Sequence, residues 1–276
     1  MCYGSTTSVT VSYLMKIAKS DYMSVLKPIK HADPEISVVV PTLPHNSYEP
    51  PESLQNQSLD AYEVIVISDA DLNRCEARNK GIEVANADIV AQTDDDCIPP
   101  ETWLEDIKEN FTEYSNLVIV EGILDKLKVS PRNYPGANLA YQRDKALNIG
   151  GFDAGLDGWR ADTDFGWRLE DEYGLNCCQQ DPELEVKHQG LLRTDVNREI
   201  ERKFRARHPG RYFTILDHPH SIINKRIGKL IASIYSLSPG LTEQLIRPFE
   251  GRVRVPHGKD KYAIVRDSLN KLLKIR

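Results

Sequence analysis

The order of apolar and polar positions is most regular between residues 36 and 111. ISVVVPT (36–42) is a run of β-branched residues stopped by Pro41, the pattern of a buried strand. YEVIVISDAD (62–71) repeats it and closes on carboxylates, and ADIVAQTDDD (87–96) does so a third time. Between the last two, RCEARNKGIEVAN (74–86) places Ala77, Ile82 and Ala85 at roughly helical spacing. ETWLEDIKENF (101–111) puts Trp103, Leu104, Ile107 and Phe111 on one side of a helix that begins after Pro99-Pro100. A Pro-, Asn- and Ser-rich loop and a short helical patch at PESLQNQSL separate the first two strands. Alternating strands and helices predict a mainly parallel sheet with both faces covered. Ligands of such sheets gather beyond the carboxyl ends of the strands, where Pro41-Thr42, Ser68–Asp71 and Asp94–Asp96 all lie.

The second half is less periodic. NLVIVEGIL (116–124) reads as a strand, and GANLAYQRDKALNIGGFD (136–153) as a strand leading into a helix that ends at Gly150-Gly151. ADTDFGWRLEDEYG (161–174) has Phe165, Leu169 and Tyr173 on one helical face and Gly174 as its stop. The expected organisation is an N-terminal leader (1–35), an α/β domain (36–220) and a helical C-terminal extension (221–276).

Charge adds an asymmetry to this picture. The formal charge is −6, yet residues 221–276 carry 12 Lys and Arg against 4 Asp and Glu. An acidic body with a basic tail suggests contact with something anionic, such as a membrane surface, or a helical subdomain with a solvated basic face. The five cysteines are odd in number and form no CxxC pair, which fits a reducing interior better than a disulfide framework. With no apolar stretch of about 20 residues and no signal-peptide pattern, the expected location is cytoplasmic, with the tail allowing a peripheral place at the membrane face.

The chain has neither GxxxxGK[ST] nor GxGxxG, so phosphate binding through a glycine-rich cradle is not expected. No HExxH occurs, and residues 153–164 do not follow calcium-loop spacing. What remains is an acidic strand-end site. Alternate carboxylates of Asp94-Asp95-Asp96 can reach one hydrated divalent cation, which would supply the positive charge a nucleotide diphosphate needs.

Four blocks in order carry a resemblance to family 2 glycosyltransferases of the GT-A fold. They are ISVVVPT, SLQNQSLDAYEVIVISDAD, ARNKGIEVANADIVAQTDDDCIPPETWL and NLAYQRDKALNIGGFDAGLDGWRADTDFGWRL. Together they span roughly residues 36–190. The resemblance implies a nucleotide-diphospho-sugar transferase with Mn²⁺ or Mg²⁺ as cofactor, an inverting single displacement, and a glycan or lipid-linked acceptor. UDP is the first expectation for the donor nucleotide, with GDP or dTDP as alternatives, and no nucleic acid is implied. Position by position, it puts Pro41, Thr42, Asp69, Arg78 and Asp94 at the nucleotide. It puts Asp96 and His188 at the metal, and Asp162 as the general base.

Each position also has a plainer reading. Asp69 and Asp71 can terminate a strand in a turn, and Asp162 stands where a helix N-terminus favours an acid. Asp164 reads as a first-turn helix acid, and Trp159 and Trp167 as an acceptor wall or as core. Asp95 receives no role, and Ala161 departs from the family's usual Glu. Two alternative functions remain at this level: a nucleotidyltransferase, disfavoured by the lack of a glycine-rich basic loop after the first strand, and a glycosyltransferase-like subunit that binds without turnover.

Overall fold

The apolar runs of the first hundred residues become neighbours at the centre of one eight-stranded sheet. The structure, a computed structural model, describes residues 25–125, 131–190, 197–216 and 222–246. Its strands are β1 (Val25–Ile29), β2 (Ile36–Thr42), β3 (Tyr62–Ser68), β4 (Ile89–Gln92), β5 (Cys97–Ile98), β6 (Ile119–Leu124), β7 (Leu139–Gln142) and β8 (Cys178–His188). Their spatial order is β1-β3-β2-β4-β7-β6-β8-β5. The described α-helices of six residues or more are α1 (Arg74–Val84), α2 (Trp103–Glu113), α3 (Arg143–Asn148), α4 (Ala161–Tyr173), α5 (Arg198–Arg207), α6 (Ile222–Leu237) and α7 (Pro239–Ile246).

Period-two alternation divides the central strands between two cores. Ile36, Val38, Val40, Val64 and Val66 face Trp103, Leu104 and Ile107 of α2. Val39, Ile65 and Ile67 face Ile82 of α1 and Phe165 and Leu169 of α4. The α/β sheet is therefore covered on both faces, as its continuous apolar strands require. It is mixed rather than mainly parallel, however. β3, β2 and β4 run parallel, β7 is antiparallel to both β4 and β6, and β1 and β5 are antiparallel at the two edges. No helix is described between β6 and β7, and a connection without a crossover favours an antiparallel neighbour.

Three elements differ from the sequence expectation. Val25–Ile29, expected within the leader, is β1; Lys27 reaches across to the buried Glu63 at 2.8 Å, where Ser37 and Asn86 also donate. β8 is an eleven-residue strand whose polar sequence hides it, since only Leu184 and Val186 are buried. The described part of the C-terminal extension is helical, but Ala232 and Tyr235 of α6 join the same apolar cluster as Trp167 and Phe213. Residues 247–276 and 1–24 lie outside the described residues. Among the described residues no helix is long and apolar enough to cross a membrane.

Asp164 ties α4 to α5. It is fully buried and accepts from Arg168 at 2.7 Å, Arg207 at 2.9 Å and the His208 ring at 2.9 Å, so it is a structural ion rather than only a first-turn acid. Burial works to raise its carboxyl, but His208 and the two guanidinium groups override that and hold it at about 2. A depressed carboxylate stabilises the fold above its unfolded value and loses that contribution as pH falls toward the folded one. Wild type should therefore lose roughly 2 kcal/mol more than Asp164→Asn between about pH 4 and pH 2. Urea denaturation across that window measures the difference.

Candidate active site

The carboxyl ends of β2 and β4 open on a cavity of about 670 Å³, lined by Pro41, Thr42 and the triplet Asp94-Asp95-Asp96. Three adjacent carboxylates repel one another unless each finds a different relief, and here they do. Asp94 turns inward to Arg78 Nη2 at 2.8 Å. Asp95 accepts from Thr42 Oγ1 at 2.5 Å and from Asn46 Nδ2 at 2.7 Å, which pins the loop after β2. Asp96 remains 42% exposed and faces His188, whose Nε2 is 3.6 Å away.

Arg78 is buried on α1, a helix started by a reciprocal capping box between Asn73 and Glu76. Its guanidinium lies 5.3 Å from the Phe152 ring centre, and its Nε has no partner among the described residues. Burial works to raise the Asp94 carboxyl, but Arg78, with Arg74 behind it, holds it below the ordinary carboxylate range. Arg78 also feels the charge of Asp162, so this one cation sits between the two acidic walls of the cavity.

His188 reaches the site because β5 pairs with the end of β8, with Cys97 opposite His188. The turn is closed by Gln189 N–H donating to the Asp96 carbonyl at 2.8 Å. A Cβ at Gly190 would stand 1.9 Å from Asp96 Oδ2, so a side chain there would displace the Asp96 carboxylate. Ligand atoms of Asp96, Cys97 and His188 lie within 4.8 Å of one another. The Cys97 thiol is buried and pushed well up by burial and by Asp94 and Asp96. An open carboxylate beside an imidazole is a donor set that fits a hard or borderline divalent cation.

Asp162 stands in the first turn of α4, after Arg160 in the left-handed region (φ 66°). Its Oδ1 accepts from the Thr163 N–H at 3.0 Å and its Oδ2 from the Gly136 N–H at 2.9 Å, so it is both a helix-start acid and a wall of the cavity. Gly136 also makes room for Arg78, since a Cβ would meet its terminal nitrogens at 2.8 Å. Trp159 lines the same side, its indole N–H bonded to Glu201 of α5, whereas Trp167 is fully buried core packed on Phe204.

The structure thus brings together seven of the eight expected positions: Pro41, Thr42, Arg78, Asp94, Asp96, Asp162 and His188 all line one cavity. Asp69 does not; it ends β3 in a turn, accepting from the Asp71 N–H at 3.0 Å. Sequence reasoning missed Asp95 as the anchor of Thr42 and Asn46, and Cys97 beside the metal-type donors. It also missed Gly136, whose only sequence signal is the Pro135-Gly136 turn dipeptide.

Residues 71–156 match the family model described as glycosyl transferase family 2. Among solved structures, Staphylococcus aureus TarS residues 1–349 superposes with a TM-score of 0.51 at 14% identity, covering 88% of this chain and 93% of that one. Glucosyl-3-phosphoglycerate synthase from Mycobacterium tuberculosis, in complex with Mg²⁺ and UDP, gives a TM-score of 0.50 at 16% identity over 64% of this chain and 80% of that one. The same synthase with Mn²⁺, UDP and phosphoglyceric acid gives 0.50 at 16%, over 64% and 79%. No curated protein matches the sequence.

Removing one partner of a buried ion pair leaves the other charge uncompensated. Arg78→Met is expected to lower unfolding stability by about 3 kcal/mol, and adding Asp94→Asn to recover most of that loss. Denaturant titration of the two single variants and the double variant tests the pair.

Proposed function

We propose that the chain, whose residues 71–156 match the family 2 glycosyltransferase model and whose fold superposes on that of TarS, is a metal-dependent, inverting transferase using a nucleotide-diphosphate sugar. The observation that carries this reading is the division of the acidic triplet. Asp94 is neutralised by Arg78 and Asp95 is bonded to the β2 loop, which leaves Asp96 open toward the cavity that Asp162 faces from the other side. Asp96 and His188 would hold the divalent cation. A bound Mn²⁺ or Mg²⁺ supplies positive charge for the diphosphate leaving group. Pro41, Thr42 and Asp94 line the nucleotide side. Arg78 acts there through Asp94, whereas Asp69 closes its own turn and is outside the cavity lining. UDP is the first candidate nucleotide, in keeping with the UDP-bound synthase above.

Asp162 takes the proton from the acceptor hydroxyl as that oxygen attacks the anomeric carbon, and the nucleotide diphosphate departs from the opposite face. The two bonds on Asp162 leave lone pairs free for that proton while fixing the carboxylate plane. Trp159 and Arg160 form the acceptor side. A glycan or lipid-linked acceptor at the cytoplasmic membrane face suits the basic charge of residues 221–276 and the exposed Leu230, Leu237 and Leu241 of the C-terminal helices.

Thermal shift with UDP, GDP and dTDP, each with Mn²⁺ or Mg²⁺, should show stabilisation that needs both nucleotide and metal and that Asp96→Ala loses. Asp162→Asn should keep that stabilisation while lowering donor turnover by about 10²- to 10⁴-fold. Wild type that binds nucleotide and turns over no donor would establish the binding-subunit reading instead. Pyrophosphate release from a nucleoside triphosphate would establish the nucleotidyltransferase. Co-sedimentation should recover the full chain with anionic vesicles at low salt and not with neutral ones; equal recovery from both sinks the membrane contact.

A further inference from the structure

The segment 131–137 supplies the Gly136 N–H that holds Asp162, and its backbone is difficult to hold. Arg132 (φ 69°) and Tyr134 (φ 51°) both adopt the left-handed region, which is unfavourable for a non-glycine residue. Something outside the segment must determine its shape.

Glu121, on β6 and 1% exposed, meets that need. One carboxylate oxygen accepts the Arg132 N–H and the other the Tyr134 N–H, the second at 2.6 Å, so a single buried side chain satisfies both left-handed residues. The Tyr134 hydroxyl donates to Glu170 of α4 at 2.6 Å, and Glu170 also binds the Arg132 guanidinium. Gly166 of α4 leaves space for the Tyr134 ring, which a Cβ would meet at 2.1 Å. Glu121 touches neither the cavity nor any group assigned to nucleotide, metal or proton transfer.

We propose that Glu121 is a positioning residue: by bridging the Arg132 and Tyr134 N–H groups it fixes the segment that presents Gly136 to Asp162, and so sets the aim of the general base from a strand of the sheet. The consequence for turnover rests on the reading of Asp162 as that base. A protonated carboxyl turns one of its two oxygens into a hydroxyl, a much poorer acceptor for the second N–H. Burial pushes Glu121 to about 7, opposed by the Arg132 and Tyr134 N–H groups and reinforced by the charge of Glu170. The charged and titratable groups packed around this knot are Arg132 and Tyr134 on the segment, Glu170 on α4, Cys178 on β8, and Arg211, which is 3.6 Å from Glu170. A raised carboxyl favours the protonated fold below about 7, so the fold as a whole gains from the proton while the segment loses an acceptor.

Hydrogen exchange of the full chain, read on peptides covering 131–138 between about pH 8 and pH 6, tests the hold without reference to activity. After correction for intrinsic rates, wild-type exchange should rise about tenfold toward the acid end, and Glu121→Gln should exchange fast throughout. In turnover, Glu121→Gln should lower kcat about tenfold, leave the donor KM unchanged, and lack an acid limb that wild type shows near pH 7. Flat wild-type exchange across the window overturns the proposal, and does so even if the variant fails to fold. So does a variant with wild-type kcat and the same acid limb. If Asp162→Asn keeps full turnover, the base assignment fails, while the exchange series still decides whether Glu121 holds the segment.

Discussion

Like charges crowded at one sheet edge are the condition on which the rest of the arrangement depends. Asp94, Asp95 and Asp96 cannot all face the same solvent pocket ionised without relief, and the fold gives each a different outlet. Arg78 is drawn beneath the site by Asp94, the loop after β2 is drawn over it by Asp95, and β8 is brought alongside by the pairing that leaves Asp96 open. The helix, the loop and the late strand are far apart in the chain. Each contributes a group that faces one of the three consecutive side chains.

The central strands, α1, α2 and α4 were legible because their apolar residues repeat at the period of the element they form. So was the convergence of strand ends, since parallel topology forces it. The elements that escaped share a physical reason. β8 buries only two of eleven side chains, β5 is two residues long, and β1 is fixed by Lys27 reaching Glu63 rather than by an apolar run. β1 and β5 leave no periodic trace, and that of β8 is confined to the alternation at residues 183–187. The same holds within the site: the spacing of Asp94 and Asp96 pointed to a cation, whereas the pairing of Asp95 with Thr42 and Asn46 depends on a loop path that spacing does not encode. Asp69 shows the converse, an acid in the expected place whose side chain closes its own turn.

Buried polar groups do as much to shape the cavity as the apolar core does. Glu121, Asp164 and Glu201 are each almost wholly buried and each accepts from two or more partners. Desolvating such groups is unfavourable unless their bonds are complete, so a half-formed version of this network is worse than an apolar one. That all-or-none character gives a specific geometry to a region where Arg132, Tyr134 and Arg160 all depart from the ordinary backbone regions.

The indole and guanidinium at positions 159 and 160 both rest on Glu201, a carboxylate contributed by α5. That helix lies outside the segment matching the family model, and none of the bonds described for the triplet involves it. The two walls of the cavity are therefore separable. Replacing the register or identity of α5 would re-tilt one wall while Asp94, Asp95 and Asp96 kept their outlets, so a lineage could change what enters from that side without rebuilding the opposite one.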